Sequence, residues 1–349
     1  MDSIQRMREM GQSVWLDDLN RELITSGQLA AWIDQGLTGL TTNPTIIARA
    51  ITRLPEYQAA RAMHDTTSAL GLCETFMLED VGRAADLLAP VYTRTSGADG
   101  YLSLEVPATL ADDTRSTVQE SRRLWERLQR PNIMIKVPAT EAGLPAIAEL
   151  IAAGVNVNAT LIFHPDIYRA VLDAYCDGLA VRKARRQPLD AVASVVSVFI
   201  SRIDAACDPI LVARGYGDLA GRVGLAVGHT VYAAFQSHRR SAAWPRLRRA
   251  QARLQRPLWA STSPKNSAYP DLLNVDGLIE RDTVATVTTA TWAAIGDHGR
   301  PSRTLHPGSR EAQTVLAQAG SCLDFAAIAD GLLHEGVARF RGAYTTLLG

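Results

Sequence analysis

Short uninterrupted apolar runs recur along the chain, each followed by polar, glycine or proline residues and then by a stretch with helical spacing. These runs predict strands at Val14–Asp17, Gly39–Thr42, Tyr101–Val106, Ile133–Val137, Val155–Phe163, Val195–Ser201, Leu258–Ser261 and Val275–Ile279. They are continuous rather than alternating, as parallel strands covered on both faces require. Between them the spacing predicts helices over Ser26–Gln35, Asp80–Thr93, Ser116–Gln129, Leu144–Ala153, Ile167–Ala184 and Asp218–Ser237. Leu144, Ile147, Leu150 and Ile151, for example, form one apolar stripe at three- and four-residue spacing. Eight strands alternating with helices predict an α/β fold, a (β/α)8 TIM barrel with additional helices. An open doubly wound sheet is disfavoured because no G-x-G-x-x-G opens the first strand–helix turn. Residues 1–349 read as a single barrel domain. From about 296 the pattern gives a loop, Gly296 to Ser309, and then a C-terminal helical tail, and it leaves open whether that tail covers the barrel mouth.

Composition narrows the class. Hydrophobic residues make up 47% and charged residues 21%, which suits a globular protein with a full core. Lys+Arg and Asp+Glu are both 36, so no global field points to nucleic acid or to an anionic membrane. Two basic stretches, Arg182-Lys183-Ala184-Arg185-Arg186 and the seven arginines from Arg239 to Arg256, read as solvated helix surface, since no aromatic platform is interleaved. Trp244 within the second is expected to anchor that segment to the core. Cys73, Cys176, Cys207 and Cys322 form no C-x-x-C pair, and the seven histidines no H-E-x-x-H, so no metal and no disulfide framework is expected. Charged residues precede any apolar run at the N-terminus and no stretch approaches a membrane span, so a cytoplasmic protein is expected.

Barrel chemistry sits at the C-terminal ends of the strands. Those ends carry Asp17, Thr41-Thr42-Asn43, Glu105, Lys136, Asn158 with Thr160, Ser197, and Ser261-Thr262-Ser263. Lys136 stands out because Asn132-Ile133-Met134-Ile135-Lys136-Val137-Pro138 is otherwise apolar. Lysine is rarely buried without a purpose or a partner. One reading is a lysine that snorkels at a strand end. The other is a desolvated amine, which attacks a ketone and forms a protonated imine, an electron sink for C–C cleavage. That chemistry requires carboxyl groups to move protons, and Asp17 and Glu105 are the candidates.

Gly39-Leu40-Thr41-Thr42-Asn43-Pro44-Thr45-Ile46-Ile47 resembles the first signature of the transaldolase family. Ile133-Met134-Ile135-Lys136-Val137-Pro138-Ala139-Thr140-Glu141-Ala142-Gly143-Leu144 resembles the second, around the Schiff-base lysine. Similarity continues through Val14–Leu19, Val157–Phe163, Ser197–Arg202 and Leu258–Asn266, and it is nearest the longer bacterial members with extra helical segments. The resemblance implies a class I transfer of dihydroxyacetone from a ketose phosphate, fructose 6-phosphate or sedoheptulose 7-phosphate, to an aldose phosphate, with no cofactor. It assigns the imine to Lys136, the C4 hydroxyl proton to Asp17, and imine formation and hydrolysis to Glu105 with Thr160 and a water. Asn43, Asn158 and Ser197 would hold the three-carbon unit and Phe199 would shield it from water. Arg202, Ser263 and Lys265 would bind phosphate. Sugar phosphates are the implied partners, and a homodimer the assembly considered.

Four positions depart from the family's pattern. Val106-Pro107-Ala108-Thr109 stands where Asp-Pro-Arg is usual, and Thr286-Val287-Thr288-Thr289 where Asn-Thr-Met-Pro is common. His164-Pro165 replaces a serine, and Val227-Gly228-His229 a small asparagine turn. They raise the prospect of a specialised member acting on an unusual sugar. Alternatives from the same residues are an aldolase that releases dihydroxyacetone and a silent sugar-phosphate binder. A two-carboxylate glycosidase would leave Lys136 idle.

Overall fold

The computed structural model describes residues 3–42, 57, 69–241 and 244–348, side chains at 69, 70, 73 and 343–348 excepted. Helix α1 (Ser3–Glu9) precedes strand β1 (Gln12–Leu16). Helices α2 (Arg21–Thr25) and α3 (Gln28–Gln35) lead to β2 (Gly39–Thr41), and α4 (Ala69–Arg94) to β3 (Tyr101–Glu105). A 3-10 turn, Ala108–Leu110, and α5 (Thr114–Leu128) lead to β4 (Ile133–Pro138), then α6 (Gly143–Ala153), β5 (Val157–Ile162) and α7 (Pro165–Ala184). Strand β6 (Ser194–Phe199) is followed by α8 (Ile200–Ala213), α9 (Val223–Arg240) and α10 (Trp244–Arg249). Then come β7 (Arg256–Ala260), α11 (Leu273–Asp276), β8 (Thr283–Val287), α12 (Thr289–His298), α13 (Arg310–Gly320) and α14 (Phe325–Leu348). All eight strands are parallel, each beside its sequence neighbour, and β1 pairs with β8 to close the barrel. No single described helix is long and apolar enough to cross a membrane.

The expected barrel is present with one strand misplaced. Val275–Ile279 is not the eighth strand: Leu273–Asp276 is a helical turn, and Val275, Leu278 and Ile279 are buried side chains of that turn and the loop after it. The strand is Thr283-Val284-Ala285-Thr286-Val287. Its threonines read as polar, yet their branched Cβ atoms suit a pleated strand as well as valine does. The helix expected from Asp218 begins at Val223, after a 3-10 turn at Gly217–Leu219. Trp244 is buried, as its anchoring role required. Arg182 is buried rather than solvated, donating to the carbonyls of Pro188 and Ala152.

Two apolar layers result from period-two alternation along the strands. Outward-facing residues such as Val14, Leu104, Ile135, Val157 and Val196 join the core beneath the helices. Inside the barrel, Trp15, Tyr101, Met134, Val195, Leu258 and Val284 form a second cluster. Gly39 makes room for it, since a Cβ there would lie 2.4 Å from the Trp15 indole. The Trp15 indole N–H donates at 2.8 Å to Asp99, two residues before β3. Two positions further along β1, β3, β4 and β6, the inward-facing residue becomes polar: Trp15 gives way to Asp17, Tyr101 to Ser103 and Glu105, Met134 to Lys136, and Val195 to Ser197.

The tail crosses the mouth. Helix α14 packs on β5, on the turn after β3, and on α4 and α8. Arg341 donates to the Ala108 carbonyl at 3.1 Å and pairs with Asp112. The Phe325 ring lies 5.2 Å from that of His164, and a Cβ on Gly336 would meet Leu161 at 2.8 Å. Leu161 sits at the bulge in β5 with φ 62, a left-handed conformation costly for a branched side chain. The helix holds this strained residue in place from above.

Candidate active site

Lys136 is 4% exposed and Glu105 1%. The two face each other across the β3–β4 register, with Nζ 3.3 Å from Glu105 Oε2. Nζ also donates to the Thr42 carbonyl at 3.3 Å, just past the end of β2. Residues at the ends of β2, β3 and β4 thus fix the amine. Burial disfavours the charged carboxylate of Glu105 more than Lys136 favours it, and its pKa is pushed up to about 7. Asp17, immediately after β1, accepts a 2.6 Å hydrogen bond from Thr41 Oγ1. Burial again dominates and raises its pKa, with Lys136 acting in the opposite direction. The site therefore holds one amine and two carboxyls whose solvation has been replaced by fixed neighbours.

On the other side of Lys136, the register sets it beside Asn158. The Asn158 amide donates to Ser103 Oγ at 3.0 Å, and its carbonyl accepts from Ser197 Oγ at 2.7 Å. Both ends of the amide are thereby oriented, one by β6 beside it and the other across the barrel interior by β3, and Ser103 is a supporting residue that the sequence did not single out. Thr160, inward-facing on the same strand, is fully buried and its hydroxyl has no hydrogen-bond partner among the described residues. Buried polar groups rarely go unpaired. A hydroxyl in this position is free to bind what enters the mouth.

Phe199 ends β6 with its ring 5.6 Å from that of Phe163. Arg202 lies in the first turn of α8, and Ser263 and Lys265 in the loop after β7. The Ser263 hydroxyl is 2.8 Å from Thr291 Oγ1. Burial first, and then Arg339, lowers the Arg202 pKa. Desolvation, Arg202 and Arg339 do the same to Lys265, with Asp17 opposing. Arg339, on α14 and paired with Glu335, is a third cation at this edge that the sequence did not mark. Like charges held this close repel, and a dianion between them relieves the repulsion.

The structure thus brings Lys136, Glu105 and Asp17 together and sets Asn158, Ser197 and Thr160 on neighbouring inward positions. Asn43 lies outside the described residues. The departures from the family's pattern are mostly supports. Ala108 offers its carbonyl to Arg341, His164 packs on the start of α14, and Thr288 caps α12. Gly228 allows close contact of α9 with Leu278, where a Cβ would lie 2.5 Å away.

The family model described as Transaldolase/Fructose-6-phosphate aldolase matches residues 14–349. Among curated relatives, Transaldolase 1 of Streptomyces coelicolor is 41% identical over 355 residues, covering 99% of this chain and 93% of that protein. Transaldolase of Thiobacillus denitrificans is 39% identical, covering 100% and 99%. Transaldolase 2 of Nostoc sp. is 37% identical, covering 100% and 96%.

Proposed function

The chain belongs to the transaldolase/fructose-6-phosphate aldolase family, and from that membership we propose how the residues at its barrel mouth divide the work. The protein is a transaldolase, a transferase that moves a dihydroxyacetone unit between sugar phosphates. The observation that carries our assignment is the buried Lys136–Glu105 pair at the polar end of the barrel, with Asp17 beside it.

Lys136 attacks the ketone carbon of fructose 6-phosphate or sedoheptulose 7-phosphate. Glu105, kept largely protonated by burial up to about pH 7, donates through a water held at Thr160 as the carbinolamine loses hydroxide and the imine forms. Asp17 takes the C4 hydroxyl proton. The C3–C4 bond then breaks, its electrons move to the imine as an enamine, and the aldose phosphate leaves. The enamine carbon attacks the aldehyde of a second aldose phosphate, Asp17 returns the proton, and hydrolysis frees the new ketose. Asn158 and Ser197, with Asn43, hold the hydroxyls of the three-carbon unit. Arg202, Ser263 and Lys265 hold the phosphate, whose remote binding energy is available to the transition state.

Borohydride reduction with fructose 6-phosphate tests this directly. We expect mass spectrometry to find the reduced adduct on Lys136 and Lys136→Ala to abolish both adduct and transfer. No adduct with any ketose phosphate would overturn the assignment. Equal release of free dihydroxyacetone with and without an aldose acceptor would instead assign an aldolase.

A further inference from the structure

We propose that Phe340, on the C-terminal helix, is the cover of the imine lysine and biases the bound three-carbon unit toward transfer rather than release to water. The inference rests on the assignment of the imine to Lys136.

The Phe340 ring centroid is 5.7 Å from Lys136 Nζ, and the residue is 6% exposed. It is placed there by anchors on both sides of it. Arg341, the next residue, is fixed to the Ala108 carbonyl and Asp112 beyond β3. Gly336, one turn earlier and on the same face, seats the helix on Leu161 at the β5 bulge. Glu335 and Arg339 pair along the exposed side. Phe199, to which the family resemblance gives the shielding role, has its ring against Phe163. Phe340 is therefore a separate contribution, delivered from the far end of the chain.

The bound unit has two fates. In transfer, the enamine carbon bonds to the acceptor aldehyde. In release, that carbon takes a proton, water adds to the imine carbon, the C–N bond breaks, and dihydroxyacetone leaves with the Lys136 amine restored. A phenyl ring offers water neither donor nor strong acceptor, so it keeps the mouth side of Nζ dry. Its face also attracts the positive charge of a protonated imine. Water then reaches the imine by the route through Glu105 and Thr160, where the chain controls its use.

The experiment compares the parent with Phe340→Leu and Phe340→Ala. For each, the borohydride adduct on Lys136, the transfer rate to an aldose phosphate, and the dihydroxyacetone released are measured together. The adduct should persist in all three. Phe340→Leu, which keeps apolar cover but loses the ring face, should raise release relative to transfer by about two- to fivefold, the range of an ordinary cation–π contact. Phe340→Ala should raise it further, and if that variant does not fold, Phe340→Leu decides. An unchanged ratio in a variant that still forms the adduct overturns the proposal alone. Failure of the parent to form any adduct overturns the Lys136 assignment and this inference with it.

Discussion

At Glu105 the competing effects can be ranked. Removing a carboxylate from water is costly, the nearby Lys136 ammonium recovers only part of that cost, and the pKa settles near 7. Below that value the group is an acid able to drive loss of hydroxide from the carbinolamine, and above it a base. Imine formation in the parent should therefore lose its acid-catalysed limb as pH rises through about 7. Glu105→Gln should remove that inflection and slow trapping by about 10²-fold or more, the usual worth of a positioned proton donor. Rapid-quench borohydride trapping between pH 5.5 and 8.5 reads both, and an inflection that survives in Glu105→Gln would assign it to another group. Lys136 and Glu105 were legible as candidates in the sequence because a charge inside an apolar strand is unusual enough to call for a partner. Phe340 and Arg339 were not, because an aromatic and a basic residue in an amphipathic helix already have a local explanation. Only the path of α14 across the mouth gives them a second meaning.

At the scale of elements, pattern reading succeeded where strands are rich in valine, isoleucine and leucine, and failed at β8, where threonine supplies the branching. Element pairing across long loops was not readable at all. Arg21 shows why: it opens α2, yet its guanidinium lies over the rings of Tyr57 and Phe76, which touch each other, and pairs with Asp80 at 2.8 Å and Glu79 at 2.9 Å on α4. Tyr57 in turn donates to Asp80. This buried network ties α2 to Tyr57 and to α4. Arg21→Met should destabilise the fold by about 3–5 kcal/mol at pH 8, because Asp80 is left with an uncompensated charge. Burial already raises the Asp80 pKa. At pH 5 the variant can therefore relieve the strain by taking a proton, and the loss should shrink. Adding Asp80→Asn should restore much of the difference at pH 8. Urea unfolding of the two single variants and the double variant forms the cycle, and strict additivity would refute the coupling.

Over the whole molecule, 36 basic and 36 acidic residues leave little net charge near neutrality, so stability follows individual buried groups rather than general repulsion. Asp204 is one that catalysis does not use. It lies on α8, is buried, and accepts the Gly224 N–H at 2.7 Å near the start of α9. Burial outweighs that bond and raises its pKa to about 7. The sign follows from proton counting: between the ordinary carboxylate range and pH 7 the folded chain holds a proton that the unfolded chain has released. Stability contributed by neutral Asp204 is thus fully present in acid and lost as pH rises through about 7. Other groups confuse the total. Burial holds His229 and His238 below their usual range, which favours folding as pH rises, and Glu105 acts like Asp204. The difference between the parent and Asp204→Asn cancels them, since the amide retains an oxygen for Gly224 but cannot ionise. Asp204→Asn should accordingly stabilise by only about 1–2 kcal/mol at pH 5 and by on the order of 4 kcal/mol at pH 8, since each tenfold change in proton affinity on folding is worth about 1.4 kcal/mol. Denaturant unfolding of both proteins at several pH values measures it. A difference that does not change with pH would mean that Asp204 titrates in the folded chain as it does in the unfolded one.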